Sequence, residues 1–202
     1  MMIVELRQYT LRPGMRDTLI DLFEREFVAG QRAAGIELGG RYRDLDDPDR
    51  FVWLRAFADM ESRARALHDF YYGPVWQAHR EVANGTMVDS DDVLLLHGPN
   101  FDTPPDAELV TATICHPADD GFAEVFERRL RPELTAAGAA PLAPHRTAHV
   151  ENTFPALPVR TGEDVFCWFS TGPTDRVWPA DANAGLLAAA RHLRLAPVRP
   201  TG

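Results

Sequence analysis

Lysine is absent from this chain of 202 residues, so all 21 basic side chains are arginine. That excludes a Schiff-base or lysine-base mechanism outright. Cysteine is scarce too. Cys115 and Cys167 are too few for a disulfide framework and lack a metal-ligand spacing, and each lies in a strand-like apolar run that suits a reduced, packed thiol. No apolar run approaches the roughly 18 residues of a membrane span, and no charged-then-apolar leader opens the chain, so the cytoplasm is the expected location. Positive charge is in short supply, with 30 acidic residues setting a net charge of -9 and a pI near 5.2. The halves divided at residue 105 carry -6 (18 acidic, 12 arginine) and -3 (12 acidic, 9 arginine). Neither is a basic module, which argues against nucleic acid and anionic membranes as partners. The G-x-G-x-x-G, P-loop, G-x-S-x-G and H-E-x-x-H patterns are all missing, so nucleotide cofactors and serine hydrolysis are unsupported, and no cofactor or metal is expected.

What is present is organised around Ile3 to Gly14 (IVELRQYTLRPG), a strand of alternating character running into a turn. A worn copy, Leu109 to Gly121 (LVTATICHPADDG), opens the second half. After the first strand, Met15, Leu19, Phe23 and Phe27 recur at four-residue steps and predict an amphipathic helix. Strands over Glu37–Leu45 and Phe51–Phe57 flank an acidic turn. Asp59 caps a helix through Met60, Ala64, Leu67 and Tyr71, and Pro74 starts another carrying Trp76, His79 and Ala83. Val93–His97 closes the set. The order is strand, helix, strand, strand, helix, strand, a ferredoxin-like unit. A proline-rich linker at 98–107 then separates residues 1–100 from a second, eroded copy at 107–202. The second copy is read as strand Leu109–His116, a helix from Asp119 or Asp120 to Gly138 that Pro132 kinks or delays, strands His145–Glu151 and Val165–Ser170, helix Asn183–Arg191 and strand Leu193–Val198.

Three stretches, ELRQYTLRPG at Glu5–Gly14, RALHDFYYGPVWQA at Arg65–Ala78 and NTFPALPVRTGEDVFCWF at Asn152–Phe169, together resemble the NIPSNAP family in its tandem bacterial form. The resemblance implies an α+β chain in which two tandem ferredoxin-like (βαββαβ) repeats form a dimeric α/β-barrel arrangement, with two sheets facing each other around a lumen. The superfamily includes cofactor-independent monooxygenases, polyketide cyclases and haem enzymes. Cys115 stands near the place of Tyr9, and Thr111 and Thr113 near those of Glu5 and Arg7, so a symmetric pair of sites is not expected.

With helices on the aliphatic face, the opposite face presents Glu5, Arg7, Tyr9, Trp53 and Arg55 to the lumen. Those charges form either an internal ion pair or an arginine-lined pocket for a carboxylate, enolate or phenolate, with Tyr9 moving a proton. His68, Tyr72, Trp76 and His79 recur around the Gly73-Pro74 break, as packing or as one wall of a substrate pocket. His145, His149 and Glu151 share a strand face with a metal-like spacing but no fourth ligand, so they read as surface or hydrogen-bonded polar groups; where that face meets the lumen, His149 and Glu151 become the acid/base partners for Arg7 and Tyr9. The first functional expectation is therefore an enzyme of secondary or aromatic metabolism, acting on a planar, oxygen-rich substrate in the lumen by proton transfer, cyclisation or cofactor-free oxygenation. The rival readings are a non-catalytic ligand-binding or assembly module and a haem protein. A second copy of the chain is a further expected partner, through aromatics such as Tyr71, Trp76 and Trp178.

Overall fold

The computed structural model describes residues 1–172, 174–179 and 181–199. In the first half, β1 (Met2–Leu11) leads through Pro13 and Gly14 to α1 (Arg16–Leu22), which runs through a π-helical turn, Phe23–Phe27, into α2 (Val28–Ala33). The hairpin β2 (Glu37–Asp44) and β3 (Arg50–Phe57) turns on the acidic loop, where the Asp44 carboxylate accepts from the Asp46 and Asp47 amides. Asp59 caps α3 (Met60–Tyr71) by accepting from the Ser62 amide at 2.7 Å. The chain then breaks at Gly73 and restarts with Pro74 in the first turn of α4 (Pro74–Thr86). A short β4 (Met87–Asp89), not expected from the sequence, precedes β5 (Val93–Gly98).

The second half repeats this order with losses. Its elements are β6 (Val110–Cys115), α5 (Phe122–Val125), the π-helical turn Phe126–Leu130, α6 (Arg131–Ala136), β7 (Leu142–Thr147), β8 (Phe166–Thr171) and β9 (Arg191–Pro197). Pro132 sits in the first turn after the π-helical segment. The same turn occurs at Phe23–Phe27, which has no proline, so proline is not its cause in the first half. The helix expected over Asn183–Arg191 does not form. Positions 181–185 are turns, Gly185 adopts a φ of +89°, and Arg191 already belongs to β9. The strand expected over His145–Glu151 instead spans Leu142–Thr147, and the chain from Ala148 onward leaves the sheet.

All pairings are antiparallel, and they close. β1, β3, β2, β9, β6, β8, β7 and β5 follow one another round a barrel and return to β1, with β4 appended at the end of β1. The two halves are joined by Tyr42↔Pro197 on one side and Leu96↔Thr147 on the other. Closure leaves the barrel strands without a bare edge. No described helix is long and apolar enough to cross a membrane.

The interior of the barrel is aliphatic, which reverses the expected face assignment. Val4, Leu6, Val52, Leu54 and Ala56 meet Val110, Ala112, Ile114, Cys167 and Leu195 across the axis. The connector adds Phe101, which stacks on Phe169 with ring centroids 4.5 Å apart, so this segment plugs the barrel as well as linking the halves. Gly39 makes room for it. A β-carbon on Gly39 would come within 2.5 Å of the Phe101 carbonyl oxygen, and the strand register shifts at that point. Facing sheets pack about 10 Å apart, a spacing that interdigitated Val, Leu and Ala fill and that offers an arginine no acceptor. The charged face of β1 and β3 therefore lies outward, under the helices, which bring polar partners of their own.

Candidate functional site

Glu5, Arg7 and Tyr9 lie on the helix-covered face of β1, and the register sets them opposite Arg55, Trp53 and Phe51 of β3. Above them α3 presents Arg63 on the same buried face as Ala66, Leu67 and Phe70. Three guanidinium groups converge on one carboxylate. Glu5 Oε2 accepts from Arg7 Nη1 at 2.5 Å and from Arg55 Nε at 2.7 Å, while Oε1 accepts from Arg63 Nε at 2.7 Å. None of the four is more than 1% exposed. Burial alone would raise the Glu5 carboxyl, but the charges of Arg55, Arg7 and Arg63 override it and hold it well below the usual carboxylate range. Burial also lowers Arg63, whereas for Arg7 it is outweighed by Tyr9 and Glu5 and the net shift is upward.

One carboxylate cannot balance three guanidinium ions. With Glu5 ionised, the cluster holds two surplus positive charges away from water. Some of this excess is spread over neutral acceptors and aromatic rings. Arg7 Nε donates to the Tyr9 hydroxyl at 3.0 Å, and Arg55 Nη1 makes long contacts to the Tyr71 hydroxyl at 3.3 Å and to Gln31 Oε1 at 3.4 Å. Trp53 lies 5.5 Å from Arg7 and 5.3 Å from Arg55, ring centroid to guanidinium carbon. Arg55 Nη2, Arg63 Nη2 and the Trp53 indole nitrogen still have no partner among the described residues. Buried orphan donors of this kind are costly unless something else accepts from them.

A small cavity of about 20 Å³ lies beside the cluster, lined by Tyr9, Gln31, Trp53 and Tyr71 on its polar side and by Phe23, Phe27, Phe70 and Trp76 on its apolar side. Burial raises the Tyr9 phenol, so it stays protonated and is a donor. Two larger hollows, about 500 and 580 Å³, lie elsewhere, near His97, Arg146 and Phe166, and neither is lined by Arg7 or Arg55. Among the described residues, no three of His, Cys, Asp and Glu come together in a way that could hold a metal ion.

The expected site residues separate into two groups. Glu5, Arg7, Tyr9, Trp53 and Arg55 are gathered as expected, although under the helices and not in the lumen, and Trp76 lines the adjoining cavity. The others lie apart. His149 and Glu151 follow the end of β7 in exposed chain, and His149 pairs with Asp164 at the surface, so neither can serve Arg7 and Tyr9 as acid or base. His68 and Tyr72 lie against each other with tilted rings on the exposed side of the Gly73 break, and half-buried His79 faces Glu26 at 3.6 Å. Trp76 and Tyr71, expected at a contact between chains, pack on each other and on Phe70. Three partners were not singled out in advance, Arg63, Gln31 and Asn152, whose Oδ1 accepts from Arg63, and Tyr71 was expected in a different role. Arg63 was detectable, because its spacing from Leu67 and Phe70 places it on the apolar stripe of α3. Among the described residues the second half carries no equivalent site. Thr111 pairs with Ser170, and Thr113 with Trp168, where the first half pairs Glu5 with Arg55 and Arg7 with Trp53.

Comparison with known proteins adds the following. Residues 4–97 match the model of the NIPSNAP family. A NIPSNAP-like domain protein from Burkholderia xenovorans is 34% identical over 52% of this chain and 90% of its own, with a TM-score of 0.43. Several solved structures align over nearly the whole chain. An "anthrone oxidase-like protein" is 12% identical with a TM-score of 0.63, covering 98% of this chain and 92% of its own. A "putative monooxygenase" from Lactobacillus acidophilus is 15% identical with a TM-score of 0.60, covering 97% and 93%. At such identities these two share the fold. No curated protein matches.

Proposed function

Residues 4–97 make this chain a member of the NIPSNAP family, and from that premise we propose that its first half holds a site for a small, planar, oxygen-rich anion. A phenolate, an enolate or an aromatic carboxylate has the required shape and charge. The observation that carries the reading is the surplus of two buried positive charges around Glu5, with Arg55 Nη2 and Arg63 Nη2 left unpartnered. A bound anion would supply the missing negative charge and the missing acceptors together.

The chemistry that fits is proton transfer on an electron-rich substrate, ending in cyclisation or in cofactor-independent oxygenation. Arg7 and Arg55 hold the anionic oxygen, Trp53 forms a wall, and the protonated Tyr9 returns a proton. Glu5 is no base here, since three arginines keep it ionised and fully engaged. In the oxygenation route, a methylene between aromatic rings reacts with dioxygen to give a ketone and water. The substrate supplies the electrons, so no redox cofactor is required. Both sheets of the barrel come from one chain, and the site needs no second copy to complete it.

A purely structural role for the cluster has one observation in its favour, the small volume of the adjoining cavity. Native mass spectrometry of the gently purified protein separates the two readings. An aromatic acid or phenol that co-purifies with the wild type and is lost in Arg55→Met supports the site. Absence of any bound anion, together with no response to added aromatic carboxylates, supports the structural role.

A further inference from the structure

The chain between β7 and β8 leaves the second half and crosses the helical side of the first. It is pinned to β5 at both ends, the Ala148 amide donating to the Leu95 carbonyl at 2.8 Å and the Arg160 amide to the Val93 carbonyl at 2.9 Å. Arg160 also pairs with Asp92 at 3.1 Å. Between the pins, Phe154 and Leu157 pack on the apolar cluster under the helices, Phe154 lying 6.1 Å from the Tyr71 ring.

Asn152 reaches from this strap to the arginine cluster. Its Oδ1 accepts from Arg63 Nη1 at 2.9 Å, and among the described residues it is the one hydrogen bond the cluster's guanidinium groups make with the second half. The rest of the Asn152 side chain is bound within its own loop. Oδ1 accepts from the Phe154 amide at 3.1 Å and Nδ2 donates to the Leu157 carbonyl at 2.9 Å. Among the described residues, the strap between its pins makes only one other hydrogen bond to the first half, from Thr153 Oγ1 to the Met60 carbonyl at 3.3 Å. It is therefore a preformed piece, held by two hydrogen bonds and a few apolar contacts, that covers a buried arginine.

We infer that Asn152 is a placeholder: its amide oxygen occupies on Arg63 the position that an oxygen of the anionic ligand takes when the strap lifts. This rests on the anion-site reading above and adds the residue that gates it. An amide oxygen is a neutral acceptor and leaves the surplus charge in place, whereas a carboxylate or phenolate oxygen neutralises part of it and forms a charge-assisted bond. An entering anion thus exchanges a weaker partner of Arg63 for a stronger one, and the space it needs comes from displacement of Phe154 and Leu157. The second half, with no buried arginine cluster among its described residues, contributes the gate of the first.

The test uses the full chain with sodium benzoate as probe and sodium chloride at equal ionic strength as control. The wild type should show a saturable rise in Tm with benzoate, and amides 150–159 should exchange hydrogen faster when it is bound. Asn152→Asp builds the anion into the strap, at the loss of the Nδ2 hydrogen bond to the Leu157 carbonyl, and should bind benzoate about tenfold or more weakly. An Asn152→Asp protein that binds benzoate as tightly as the wild type, or strap amides that exchange no faster with benzoate, overturns the gate while leaving the anion site standing. A wild type indifferent to benzoate overturns the anion site and the gate with it. Should Asn152→Asp fold poorly, hydrogen exchange on the wild type still decides.

Discussion

Glu5 and Arg55 are register partners across β1 and β3, and Arg55 Nε donates to Glu5 Oε2 at 2.7 Å in a space closed to solvent. This pairing is the centre of the cluster, because the same carboxylate oxygen also receives Arg7 and the other receives Arg63. Among the described residues, Glu5 is the only carboxylate the three arginines share. The fold tolerates them through this one residue.

Replacing Glu5 by Gln keeps the shape and removes the charge, leaving three buried guanidinium ions repelling one another. The expected cost is about 3–5 kcal/mol in urea denaturation, the range for breaking a buried pair. Glu5→Gln combined with Arg55→Met should recover part of it, since one of the unbalanced charges goes too. If the single variant unfolds with wild-type stability, the cluster is not held by charge.

Acid should weaken the fold in two overlapping steps. Burial pushes His145 down to about 4 from an ordinary value of 6.5. Between those values the unfolded chain binds a proton that the folded chain refuses, so stability is complete above pH 6.5 and about 3 kcal/mol is lost as pH falls through the window. Glu5, depressed from 4.5, contributes in full above that pH and loses its contribution as pH drops further. His145→Gln should flatten the upper step alone, and Glu5→Gln with Arg55→Met the lower. Stability that does not change from pH 7 to pH 4 would show that His145 is not held as described, and stability that does not fall at still lower pH would show the same of Glu5.

Much of this architecture was visible in the sequence because it rests on local signals. Period-two alternation in β1, four-residue steps from Leu19 to Phe27, the Asp59 cap and the Pro74 start each specify an element without help from the rest of the chain. The membership of the charged group was legible for the same reason, since Glu5, Arg7 and Tyr9 alternate along one strand. Which way that face points was not. Alternation distinguishes two faces but does not say which meets helices and which meets another sheet, and the tie was broken by partners distant in sequence: Arg63 from α3 and the aliphatic side chains of β6, β8 and β9. His149 and Glu151 misled because a two-residue spacing implies a shared face only while the strand continues, and β7 ends at Thr147. Asn152 belonged to a stretch recognised as a motif, but its target lies 89 residues away.

Gly98 should not accept a side chain. A β-carbon there would stand 2.3 Å from His145 Cδ2, and His145 cannot easily retreat because its Nε2 is held 2.8 Å from the Pro99 carbonyl at the seam between β5 and β7. Gly98→Ala should therefore cost about 1–3 kcal/mol, the usual range for overpacking. A second change, His145→Ala, should relieve the clash, so the double variant should be more stable than the sum of the single losses implies. A Gly98→Ala protein as stable as the wild type would place the seam differently.

Arg7 separates structure from function most directly. It shares Glu5 with two other arginines, so replacing it by Met leaves Glu5 ionised and still paired at both oxygens, with the surplus charge reduced from two to one. The losses are its hydrogen bond to the Tyr9 hydroxyl and its place beside the Trp53 ring, against the relief of removing a buried like charge. Stability should therefore change by no more than about 1–2 kcal/mol. Anion affinity should fall much further, by about tenfold or more for benzoate in calorimetric titration, because half of the uncompensated charge and the residue that orients Tyr9 are gone. Arg7→Met with a large loss of stability and unchanged benzoate affinity would assign this arginine to the scaffold and leave ligand binding to Arg55 and Arg63.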